Sequence, residues 1–196
     1  MSVRACPKLD NRGLAGFQGC RTLTQLDLAL NPHFTDAGVA SLRGCASGST
    51  LHRLDLAGCR RVGDGGLSAV AGTFPNVRQL NLDGLVLLHG PGLEEFVLAP
   101  PTNPHLQHMM LPDGRPAFSG ASLRKLSLAG CASLKRAPLL ESVLACEVLR
   151  ELNLSGVVCV DDGVLADIGS VVVLVCCICT DACTCGRRLV ESPRNE

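Results

Sequence analysis

The sequence predicts an α/β solenoid, a curved right-handed stack of about six strand–helix units. Three observations carry that prediction. The phrase Leu-x-x-Leu-x-Leu-Ala-Gly-Cys occurs at Leu51–Cys59 and again at Leu123–Cys131, and weaker copies start at Leu23, Val77, Leu106 and Leu149. Counted between these starts, the spacings are 28, 26, 29, 17 and 26 residues, so all but one fall near a single period. A fixed period of this size marks units that bury their apolar face only by stacking on one another. Composition agrees. Trp and Tyr are absent, as suits an elongated core of small aliphatic side chains that never has to accommodate a large ring.

The unit starting at Leu51 shows how each element arises. Leu51, Leu54 and Leu56 point inward, and Leu54-Asp55-Leu56 alternates as a short strand should. Gly58 permits a sharp bend and Cys59 turns inward, with Asn31 at the matching place one unit earlier. A small polarisable or amide side chain suits that position, so Asn31, Cys59 and Cys131 read as structural groups. The second half of each unit is a helix on the outer face. Thr35-Asp36-Ala37-Gly38-Val39, Gly63-Asp64-Gly65-Gly66-Leu67 and Val160-Asp161-Asp162-Gly163-Val164 each precede an apolar pattern, which places Asp36, Asp64 and Asp161 as N-caps. The unit after Val77 uses Gly90 as the cap and Pro91 at the first helical position. The Leu106–Ser122 unit is irregular: Pro112-Asp113-Gly114-Arg115-Pro116 reads as a turn-rich loop, while its strand is expected to keep its place in the sheet.

The combination L-x-x-L-x-L-x-G-C, a spacer, [T/V]-D-x-G-[L/V] and a helix resembles the cysteine-containing leucine-rich repeat. It is the repeat found in F-box/LRR proteins, the substrate-recognition subunits of cullin-based ubiquitin ligases, and it is similar to the ribonuclease-inhibitor-like superfamily. The resemblance runs from about Val3 to Ser170 and implies a leucine-rich-repeat solenoid that binds proteins in ubiquitin-dependent catabolism, with ubiquitin-ligase components among its partners. Departures are local. Leu85 and Val157 stand in the Cys position, His89-Gly90 replaces Thr-Asp, and Lys135-Arg136-Ala137-Pro138 replaces the cap motif.

The ends break the rule. Val3-Arg4-Ala5-Cys6 aligns with Leu56-Ala57-Gly58-Cys59, so residues 1–170 form a solenoid that opens in mid-repeat. This reads as a fragment, a divergent short member, or a first unit covered by a partner, and the F-box of the family is not carried over. Residues 171–185 form an apolar, Cys-rich tail holding Cys176, Cys177, Cys179, Cys183 and Cys185, and residues 186–196 read as a disordered C-terminus. The tail is open to four readings: a degenerate last strand, a soft-metal site for Zn²⁺ or Cu(I), a palmitoylated segment, or non-native sequence.

Lys plus Arg equals Asp plus Glu at 18 each, so a nucleic-acid partner, which would ask for a basic stripe, is not expected. The N-terminus has no apolar signal region and no apolar run is long enough to span a bilayer, so the twelve cysteines read as reduced thiols of a cytoplasmic or nuclear protein. No phosphate-binding loop is present, and the five His show no metal-ligand spacing; catalysis and cofactors are not expected. Function is placed on the outward strand residues. One column is Gln25, Arg53, Gln79, His108, Lys125 and Glu151, and the other is Asp27, Asp55, Asn81, Met110, Ser127 and Asn153. Arg53, His108 and Met110 are the best anchors for a protein ligand on this face. The alternative is a metal-binding or redox-responsive protein acting through the tail cysteines.

Overall fold

The computed structural model describes residues 1–99 and 119–169. Short helices and strands alternate in it: α1 (Asn11–Ala15), β1 (Gln25–Asp27), α2 (Asp36–Ala40), β2 (Arg53–Asp55), α3 (Asp64–Ala69), β3 (Gln79–Asn81), α4 (Pro91–Leu98), α5 (Ser119–Ser122), β4 (Lys125–Ser127), α6 (Arg136–Leu144), β5 (Glu151–Asn153) and α7 (Asp162–Gly169). The five strands form one parallel sheet in chain order, and the helices of neighbouring units lie against each other. This is an α/β leucine-rich-repeat solenoid. No helix among the described residues is long and apolar enough to cross a membrane.

The core is a set of leucine columns. Leu26, Leu54, Leu80, Leu126 and Leu152 occupy the middle of the strands, and Leu28, Leu56, Leu82, Leu128 and Leu154 follow two residues later; all are buried. Each such side chain removed from water contributes about 1.5–3 kcal/mol. Phe34, Phe74 and Phe96 fill the space towards the helices and are buried as well. Strands stop after three residues because the chain then turns through a left-handed backbone conformation. Gly58, Gly84, Gly130 and Gly156 supply it at φ near +70°. Ala5 and Leu30 hold the same posture at φ +54° and +60° with a side chain attached, which costs roughly 1–2 kcal/mol each.

Two expectations need correction. The Leu106 unit contributes no rung between β3 and β4, because Gln79, Leu80 and Asn81 pair directly with Lys125, Leu126 and Ser127. The described sheet therefore has five strands rather than six. The 17-residue spacing between the Leu106 and Leu123 starts was the sign: it is too short for a strand, a helix and two connections. At the other end, Ser2 bridges Asp27 and the Val3 and Ala5 amides donate to the Asp27 and Ala29 carbonyls, both at 2.9 Å, so Val3–Cys6 lies on a rung as the alignment predicts.

The second correction concerns the helix starts. Asp161 is an N-cap, accepting the Val164 amide at 2.8 Å, and Asp10 caps α1 through the Arg12 amide at 2.9 Å. Asp36 and Asp64 are not caps. They are the first residues of their helices, whose N-caps are Thr35 and Gly63. Their carboxylates reach sideways into the next unit. Asp36 accepts the Gly63 amide at 2.7 Å, and Asp64 accepts those of His89, Gly90 and Gly92 at 2.9–3.0 Å. Asn11 does the same for Thr35 at 3.1 Å. A Cβ on Gly66 would meet Asp36 Oδ1 at 2.8 Å, so the glycine of one unit makes room for the aspartate of the last. The spacing of Asp and Gly in the motif reflects a contact between units. Read within one unit, it looked like a cap.

Candidate functional site

The sheet register builds the two outward columns. Gln25, Arg53, Gln79, Lys125 and Glu151 are successive partners in the first. Asp27, Asp55, Asn81, Ser127 and Asn153 are partners in the second. His108 and Met110, expected between the third and fourth of these, lie outside the described residues, and the direct pairing of β3 with β4 fills the rung assigned to them. A groove of about 640 Å³ runs over β2 to β5, lined by both columns.

The columns differ in chemistry. In the second, Asp27, Asp55, Asn81 and Asn153 each use Oδ1 to accept the backbone amide two residues on (Ala29, Ala57, Asp83 and Ser155), all at 3.1 Å. Each closes its own strand with an Asx turn, which explains why Asp and Asn recur there. Ser127 does not make this bond. The missing acceptor comes from the loop of the preceding unit, where Asp83 Oδ1 accepts the Ala129 amide at 2.7 Å and the Ser127 hydroxyl at 2.6 Å. Asp83 was not singled out by the sequence, because its role appears only once β3 and β4 are known to be neighbours. Further bonds tie this column together: Ser2 Oγ donates to Asp27 at 2.8 Å, and Asn81 Nδ2 donates to Asp55 at 3.3 Å. Asp55, only 2% exposed, also holds Arg53 Nη2 at 3.3 Å.

The first column is freer. Arg53, Lys125 and Glu151 are exposed and Gln79 half-buried. Lys125 Nζ and Glu151 Oε1 meet at 2.6 Å, an exposed pair of the kind that contributes little to stability and exchanges readily for a partner's charges. This row therefore offers a cation, an amide and a cation–anion pair to whatever enters the groove.

The inward Asn and Cys positions are buried and hydrogen-bonded to the backbone of neighbouring turns. Asn31 is fully buried; its Nδ2 donates to the Val3 and Leu28 carbonyls at 2.9 and 2.7 Å, and its Oδ1 accepts the Cys6 amide at 2.8 Å. In the matching places Cys59 donates to the Leu28 carbonyl at 3.2 Å and Cys131 to the Leu82 carbonyl at 3.1 Å, and their sulfurs also meet the backbone of Asn31 and of Leu85 and Gly84. Burial pushes both thiols up, Cys131 to about 11, which suits packing rather than nucleophilic or metal chemistry. Asp64 is shifted the other way. Burial opposes its charge, but the His89, Gly92 and Gly90 amides together with the His89 ring outweigh it and hold the carboxyl below its ordinary value. Among the described residues no three His, Cys, Asp or Glu side chains gather as a metal site. Cys176, Cys177, Cys179, Cys183 and Cys185 lie outside the described residues.

Comparison with known proteins agrees with the fold. A family model described as "Leucine Rich repeat" matches residues 19–42 and 49–71. A Caenorhabditis elegans protein named "Putative RNA-binding protein EEED8.10" is 31% identical over 120 residues, 60% of this chain and 15% of its own length. A chain in "Crystal structure of Rad7 and Elc1 complex in yeast" superimposes with a TM-score of 0.64 at 20% identity, over 85% of this chain and 39% of that one. This chain thus spans only a small part of the curated relative and under half of the solved neighbour. The described residues therefore have the fold of a leucine-rich-repeat solenoid, and the family model matches two of its repeats.

Proposed function

We propose that the chain is a protein-interaction module whose ligand sits in the strand-lined groove and contacts Arg53, Gln79, Lys125 and Glu151. The observation that carries this reading is the division of labour between the columns. The Asp/Asn column is committed to closing strands, whereas the neighbouring row leaves its polar groups facing an open groove. The finer reading is substrate recognition in an SCF-type ubiquitin ligase pathway. It is supported by the resemblance of the cysteine-containing repeats to those of F-box/LRR proteins, and by the fold likeness to a chain solved in a complex with a second protein.

The test is comparative affinity purification of the full chain with Arg53→Glu and Lys125→Glu, against Arg12→Glu and Arg43→Glu on the helix side. Expected is a set of partners lost from the first pair and kept by the second, with circular dichroism showing that both variants are folded. The ligase reading further expects such a partner to accumulate when the protein is depleted. Partners retained by both variants would sink the site assignment. The name of the nematode relative makes RNA the competing ligand, so recovered nucleic acid is sequenced in the same experiment; capture of RNA alone would overturn the protein reading.

A further inference from the structure

The residue just before each strand forms a third column, which the sequence reading passed over. It consists of Thr24, His52, Arg78, Arg124 and Arg150. The Arg78 amide donates to the His52 carbonyl at 2.8 Å, the Arg124 amide to the Arg78 carbonyl at 2.9 Å, and the Arg150 amide to the Arg124 carbonyl at 2.8 Å. Three arginines are therefore consecutive rungs, although Arg78 and Arg124 are separated by a whole unit in the sequence. All three are exposed, and none has an ion-pair partner among the described residues. Lys125 lies beside them in the groove. The carboxylates of this edge are Glu147, in the connection before β5, and Glu151, which Lys125 already holds.

We propose that this arginine ladder is an anion-binding rim, and that it docks an extended acidic segment of a protein ligand, the Asp/Glu side chains of the segment lying across the rungs. The proposal rests on the reading of the groove as a protein-binding face and specifies which chemistry its edge selects. Parallel strands are about 4.8 Å apart, so three rungs span roughly 10 Å. Alternate side chains of an extended peptide are about 6.6 Å apart, within reach of flexible arginines. Three like charges this close repel one another when the rim is empty, and an acidic segment relieves that repulsion. Guanidinium groups can also take a carboxylate with two parallel hydrogen bonds.

Nucleic acid fits the same edge less well. The described aromatics, Phe17, Phe34, Phe74 and Phe96, are all buried, so among the described residues the surface has no aromatic platform on which bases could stack. The chain carries no net charge, and Glu151 lines the groove beside the ladder, with the carboxylates of Asp27 and Asp83 half-buried in the strands and turns of the same sheet. A polyanion broad enough to cover both columns would lie on those carboxylates.

The experiment uses fluorescence anisotropy with the full chain and a labelled peptide of alternating Asp and Ser, an Asn–Ser peptide as neutral control, and oligouridylate. The ladder variant is Arg78→Gln/Arg124→Gln/Arg150→Gln; the charge-matched control is Arg12→Gln/Arg43→Gln/Arg60→Gln. Expected is saturable binding of the Asp peptide, weakened roughly tenfold by the ladder variant and by raising salt, and little changed in the control. Equal loss in both variants, no binding of the Asp peptide, or tighter binding of oligouridylate through the same arginines would each overturn the proposal. If the ladder variant loses nothing while Arg53→Glu/Lys125→Glu still loses partners, the ladder assignment fails and the groove reading stands.

Discussion

Asp83 closes a strand that belongs to the next unit, and this makes a sharp test of how the solenoid is held together. Asp83→Ala removes two hydrogen bonds to a charged acceptor, at 2.7 Å from the Ala129 amide and 2.6 Å from the Ser127 hydroxyl. Bonds to charged groups are worth about 1.5–3 kcal/mol each, but both donors are only partly buried and can turn to water. A net loss of about 2 kcal/mol follows, which for a chain of this size is a fall of about 4–8 °C in Tm. Ser127→Asn should rescue it, because an Asn there can close its own strand as Asn81 and Asn153 do. About 1 kcal/mol should return. In the wild-type background the same Asn competes with Asp83 for a single amide and adds no stability. Urea unfolding of the four proteins, followed by circular dichroism, gives the interaction energy of the cycle. If the two substitutions add independently, Asp83 and Ser127 do not share that rung and the account of the second column is wrong.

Other expectations follow from the same geometry. Asp64→Asn should cost about 1–2 kcal/mol near neutral pH, since an amide oxygen replaces a carboxylate that accepts three backbone amides. The folded-state pKa of Asp64 lies below its ordinary 3.8, so the carboxylate's contribution is complete above about pH 4 and is lost as pH falls through the depressed value. The gap between wild type and variant in urea midpoint should therefore narrow in acid; a gap independent of pH would contradict this. Leu30→Gly should raise stability by about 0.5–1 kcal/mol, because the relief of a left-handed residue at φ +60° exceeds the added entropy of the unfolded chain. A lower melting temperature would refute it. In native-state alkylation at mildly alkaline pH, half-buried Cys6 and Cys20 should label well before Cys131 and Cys146, whose thiols burial pushes up to about 11 and about 12. Equal labelling by peptide mass spectrometry would show that those interiors open.

What the sequence revealed was whatever repeats within one unit. Leu54 and Leu56 alternate with Asp55, Gly58 marks the bend, and the Asn or Cys after it turns inward; each was readable because local spacing decides which way a side chain points. What it concealed was whatever depends on which unit stands next. Asp36 and Asp64 read as caps from their place before a helix, yet their acceptor atoms satisfy amides about 27 residues away. Met110 and His108 fall in the columns only if every leucine phrase forms a rung, and the pairing of Gln79 with Lys125 shows that the rung between β3 and β4 is not theirs. The same skipped rung hid both Asp83 and the arginine ladder. Neither is a pattern in the linear chain; each exists only after residues 79 and 125 become neighbours.

The sideways reach of Asn11, Asp36 and Asp64 bears on how such a chain can be rearranged. The amides that start each of these next helices depend on a side chain donated by the unit before, and the Ala129 rung depends on Asp83 in the same way. A unit excised from one leucine phrase to the next leaves a carboxylate without amides at one cut and amides without a carboxylate at the other. Grafting, duplication or deletion should therefore succeed best when the cut preserves these donor–acceptor couples. The movable piece is the junction between two units, carried whole.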